Sequence, residues 1–143
     1  MRLTLNRARV ATGLSGAALV ASLAVVRSLA SATESTVFWM GRELHWECSF
    51  RRQFGIPCPT CGMTRSVLLT LHGSWRSALE VNPGGLLLVL GVLMLAAALF
   101  VASFPFLTRA RPDDVFRKMT VAASVYGGLM SVVLLGHWVR AIM

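Results

Sequence analysis

Acid is scarce in this sequence. Six Asp and Glu stand against fourteen Lys and Arg in 143 residues, and charged side chains make up only 14% of the chain. Between Pro83 and Phe104 there is no ionisable side chain at all, and no other long apolar run carries a central Asp, Glu, Lys or Arg. Pumps and ion carriers need such a group inside the bilayer, so that class is excluded. A Ser-His-Asp set, a glycine-rich phosphate loop and an H-E-x-x-H pair are missing too, which removes the usual hydrolase and nucleotide-using classes. The formal charge is +8, yet there is no lysine-rich stripe, and the basic residues are scattered or cluster at the ends of apolar runs. Nucleic acid is therefore not an expected partner; the lipid bilayer is.

What is abundant is apolar. Hydrophobic residues make up 55% of the chain and the mean hydropathy is +0.66, beyond the range of ordinary soluble folds. The length fits a single domain, residues 1–143. Three segments are long and apolar enough to cross a bilayer, at approximately 10–30, 83–106 and 119–140. Small residues recur at Gly13, Ala17 and Ala21 in the first, and at Ala123, Gly127 and Ser131 in the third, a spacing that predicts close helix packing in lipid. Ala30-Ser31-Ala32 could instead be a signal-peptide cleavage site, but the apolar run is long for a signal core, which favours a retained helix.

Arg2, Arg7 and Arg9 precede the first span, and the turn from Thr108 to Lys118 carries four basic residues. By the positive-inside rule both belong in the cytoplasm, with the intervening region on the outer face of the cell membrane. That region is nearly neutral, with Arg42, Arg51, Arg52, Arg65 and Arg76 against Glu34, Glu43, Glu47 and Glu80. Trp39 and Trp46 in it suit the headgroup layer, as His137, Trp138 and Arg140 do at the exit of the third span.

The chemistry is concentrated in a hairpin at 57–82. Cys58 reads as an N-cap with Pro59 at the first helical turn, which puts Cys58 and Cys61 on one face of a starting helix. A helix N-terminus also favours a thiolate. Met63, Val67, Leu68 and Leu71 make an apolar stripe, Gly73 ends the helix after His72, and Ser74 opens a second short helix through Leu79. Asn82-Pro83 reads as a cap and an N1 proline opening the second span. As a cap alone, Asn82 would tolerate replacement by Asp.

Cys58 and Cys61, with Cys48 upstream, admit three readings that spacing does not separate. They are a structural disulfide or buried thiols, a redox pair with Cys48 resolving, or a zinc site of Cys48, Cys58 and Cys61 completed by His45 or His72. No catalytic role is assigned beyond these redox candidates. Gly62, Thr64 and Arg65, at a helix start, form a candidate anion site for a lipid headgroup phosphate. An arginine that snorkels or pairs with Glu80 or Glu47 is the plainer account. His72 and His137 read as interfacial histidines.

The string Cys58-Pro59-Thr60-Cys61-Gly62-Met63-Thr64-Arg65, followed by His72-Gly73, Ala78 and Asn82-Pro83, resembles a family of small bacterial membrane proteins, domain-of-unknown-function family 2752. Cys48 stands where that family has a further cysteine, about ten residues upstream of the motif. The chain departs at Ser74, where many members carry Asp. The resemblance implies membership without a mechanism. The expectation is an all-α integral membrane fold: three transmembrane helices plus one or two short interfacial helices carrying the CPxC motif. The expected role is structural or accessory, toward another membrane protein or a lipid headgroup. Membrane thiol–disulfide exchange and a zinc-stabilised hairpin are the alternatives.

Overall fold

A computed structural model describes residues 2–44, 48–104 and 112–143. His45, Trp46, Glu47 and most of the turn between the second and third spans, with Pro105, lie outside the described residues. The chain is a three-span membrane protein of six helices and one small sheet among the described residues. Helix α1 runs Arg2–Leu29, α5 Pro83–Ser103 and α6 Pro112–Ile142; each contains a segment long and apolar enough to cross a membrane. Between α1 and α5 come strands β1 (Ala30–Ala32), β2 (Val37–Trp39) and β3 (Arg42–Leu44), then short helices α2 (Ser49–Phe54), α3 (Met63–Leu71) and α4 (Trp75–Val81).

Helix α5 is the common wall: α1, α3, α4 and α6 all pack against it. In lipid that packing depends on close approach and not on hydrophobic exclusion, so small residues decide it. A Cβ on Gly16 would lie 2.9 Å from the Ala96 carbonyl oxygen, so only glycine lets α1 and α5 come this close. A Cβ on Gly85 would lie 2.7 Å from the Val67 amide nitrogen, and one on Gly84 would strike Leu134. These two glycines seat α3 and α6 on the start of α5. Farther along, the Tyr126 hydroxyl donates to the Leu87 carbonyl.

The small-residue spacing marks a packing position at Gly13, where a Cβ would lie 2.8 Å from Ser103 Oγ, but not the rest of the packing faces. Ala17 and Ala21 are exposed, and α1 turns Gly16, Leu19, Leu23 and Val26 inward. On α6, Ala123, Gly127 and Ser131 are exposed, while Tyr126, Met130, Leu134 and Trp138 face the bundle. Spacing shows which residues share a stripe, but in a span that is apolar all round nothing marks which stripe meets protein.

The sheet was not expected in the polar connection after α1. It is an antiparallel meander in the order β1-β2-β3, pairing Ser31 with Phe38 and Phe38 with Glu43. Thr33 closes the first turn, its hydroxyl oxygen accepting from the Thr36 amide at 3.1 Å. Met40 and Gly41, both with positive φ, close the second, the two-residue geometry that matches strand twist. Strand β1, the Ala30-Ser31-Ala32 segment, packs on α3, so the meander joins the first span to the cysteine region.

Candidate functional site

Cys58 does not begin a helix. The Cys61 amide donates to the Cys58 carbonyl at 3.0 Å, and the Met63 amide donates to that of Thr60 at 3.0 Å, so Pro57–Gly62 is a chain of tight turns. Gly62, with φ 79°, is the N-cap of α3, which starts at Met63. Left-handed backbone there is what only glycine adopts readily, and a Cβ would also lie 2.8 Å from Val81 Cγ1. The close approach that Gly62 permits is thus made by α4. At the far end α3 closes with a Schellman motif: Gly73 donates to Thr70 and Ser74 to Leu69. Ser74 takes the N-cap position of α4 without a side-chain bond, and α4 continues past Leu79 to Val81.

The cysteine that stands at a helix N-terminus is Cys48, the N-cap of α2. Its thiol is lowered from 9.0 to about 7, chiefly by the backbone N–H of Arg51. The Cys58 thiol beside it and the Phe50 and Cys58 amides add to this, while burial opposes it. Helix α2 then ends at Gly55, whose left-handed backbone turns the chain back toward Cys58. The Cys48 and Cys58 sulfurs are 3.4 Å apart, and the sulfurs of Cys48, Cys58 and Cys61 all lie within 4.8 Å of one another. All three thiols are free and half-buried. Burial pushes the Cys61 thiol up, as does negative charge on Cys58 and Cys48; the Arg65 guanidinium acts the other way.

The mount for this turn is Asn82, which is fully buried. Its Oδ1 accepts from the Gly84 amide at 2.8 Å, the capping bond expected of it. Its Nδ2 donates to the Cys61 carbonyl at 3.0 Å and to the Pro59 carbonyl at 3.3 Å. Asn82 is therefore a cap and a clamp together. Ser66, also fully buried, places its hydroxyl 2.9 Å from the Ala78 carbonyl oxygen and 2.5 Å from that of Asn82. From the third span, Trp138 Nε1 donates to the Pro57 carbonyl at 2.6 Å. Trp138 had the look of an interfacial anchor, and only the fold reveals its partner. Ser66 had no sequence signal beyond lying on the face of α3 opposite solvent.

Of the remaining candidates, Thr64 and His72 stand apart from the cluster. Arg65 donates to the Glu34 backbone carbonyl in the β1–β2 turn, tying α3 to the meander; Thr64 is exposed. His72 is exposed at the C-cap of α3, with Nδ1 2.9 Å from the Leu68 carbonyl oxygen. Nine helical residues at about 1.5 Å each separate it from the start of α3, so it is no part of the sulfur cluster. His45 lies outside the described residues.

No curated protein and no solved structure matches the chain. The segment that holds all three cysteines, the short helices α2 to α4 and most of α5, residues 48–96, matches the model of the family described as Protein of unknown function (DUF2752).

Proposed function

We propose that this is an accessory membrane protein that holds a rigid three-cysteine hairpin on the outer face of the cell membrane. The observation that supports it best is the clamp. The carboxamide of Asn82 spends both Nδ2 bonds on the carbonyls of Pro59 and Cys61, and Trp138 fixes Pro57. Buried side-chain amides are kept where every bond is met, and a fully met network specifies one arrangement. The orientation follows from Arg2, Arg7 and Arg9 on one side of the first span and the basic Thr108–Lys118 turn after the second.

Thiol–disulfide exchange is a second reading, favoured by the 3.4 Å separation of Cys48 and Cys58. In it, the Cys48 thiolate attacks a substrate disulfide and forms a mixed disulfide. Cys58 then displaces the substrate thiol, leaving a Cys48–Cys58 disulfide and a substrate reduced by two electrons. The pair would not be the C-x-x-C pair that the motif suggests.

Thermal unfolding of the chain carrying Cys48→Ser, Cys58→Ser and Cys61→Ser together separates the two. A structural hairpin predicts a lowered midpoint in detergent. An unchanged midpoint, with loss of exchange against a small-molecule disulfide, would replace it with the exchanger.

A further inference from the structure

The geometry points to a binding site for a thiophilic d10 metal ion, with Cys48, Cys58 and Cys61 as its thiolate ligands; we take zinc(II) as its representative. The inference deepens the structural reading, since it names what the hairpin holds.

Three sulfurs bound about 2.3 Å from one ion at tetrahedral angles lie about 3.8 Å from one another. The Cys48 and Cys58 sulfurs are 3.4 Å apart and all three lie within 4.8 Å of one another, so the required spacing lies within the range that the cluster spans. A disulfide needs only two cysteines, and gives no reason for the third to converge on the same point.

Two separate elements deliver the sulfurs. Cys48 comes from the N-terminus of α2, and Cys58 and Cys61 from the tight turn before α3. Gly55 and Gly62, both with left-handed backbone, bend the chain on either side of Cys58. The backbone between is therefore shaped to bring the sulfurs together, and Asn82 and Trp138 hold it there without touching a sulfur.

Three thiols at one point repel one another once ionised, which is costly unless a cation sits among them. Binding of a divalent ion releases three thiol protons to solvent and leaves a net charge of −1 on the cluster. The Arg65 guanidinium is placed to offset it, since it lies beside the turn, 3.4 Å from where a Cβ on Gly62 would stand. Thiolate donors select zinc(II), copper(I) and similar soft ions over magnesium or calcium.

The test uses the full chain, purified in detergent under a thiol reductant and desalted. Cobalt(II) should give thiolate-to-metal charge-transfer absorption, zinc(II) should abolish it by displacement, and Cys48→Ser should weaken it. In the unmodified chain zinc(II) should slow alkylation of all three cysteines together. Absence of the band, or protection of Cys58 and Cys61 without Cys48, overturns the site even if Cys48→Ser proves unstable. Acid-quenched chain from cells with Cys48 disulfide-bonded to Cys58 and no metal overturns it as well. A lowered midpoint in the triple serine variant with no cobalt band would remove the metal and leave the structural hairpin standing.

Discussion

The side-chain amide of Asn82 donates to the backbone carbonyl of Cys61 at 3.0 Å, across twenty-one residues of sequence. One residue thus caps the second span and positions the cysteine turn. Asn82→Asp keeps the cap but removes the donor and sets a carboxylate against the Pro59 and Cys61 carbonyls. We expect a loss of about 3 kcal/mol, the scale for a buried charged group without a partner. Thermal unfolding in detergent measures it, and a loss below about 1 kcal/mol, the scale of a cap alone, would contradict the clamp.

Gly85→Ala tests the seat of α3 on α5. The added methyl would meet Ser66 and the Val67 amide, where backbone must move. Overpacking of this kind costs about 1–3 kcal/mol. Gly128→Ala, which meets nothing within 4 Å, is the control and should not lower the unfolding midpoint, since alanine favours a helix interior over glycine.

Trp138→Phe removes the indole donor to Pro57 while keeping an aromatic ring. The expected loss is about 1 kcal/mol for the missing hydrogen bond, accompanied by faster alkylation of Cys58. Unchanged reactivity would mean that the third span does not brace the turn.

Reactivity should also order the thiols by pH. The thiolate is the nucleophile, so in metal-free protein alkylation of Cys48 should rise through a midpoint of about 7. Cys61, pushed up by burial and its neighbours, should need more alkaline solution. Mass spectrometry after timed quenching reads each cysteine separately, and a reversed order would contradict the placement of Cys48 at the start of α2.

A cysteine substituted for Ser35 should react with an impermeant reagent added to intact cells, as label gained over the unsubstituted chain. One substituted for Asp113 should not. The opposite result reverses the orientation.

The sequence spoke clearly where chemistry is local. The charge-free run after Asn82-Pro83 became α5 within its expected bounds, and His72-Gly73 became a helix end, because capping and hydrophobic length depend on neighbours in the chain. It was misleading about Cys58, because the left-handed Gly62 delays the helix to Met63. Cys48 gave no sign of being an N-cap: Ser49–Phe54 is six residues with two arginines and no apolar period. The meander was hidden for a similar reason, its strands being three residues each. The second bonds of Asn82 and the partner of Trp138 are long-range, and no local pattern announces them.

The location of Asn82 and Trp138 has a consequence for biogenesis. A ribosome adds about 5–20 residues per second, and Trp138 follows Pro57 by 81 residues, so about 4–16 s pass between synthesis of the two. By the end of that interval the cysteines and Asn82 are already made while Trp138 is not. The nascent hairpin is thus only half clamped, and whatever keeps its thiols from mispairing must act before the third span is in place.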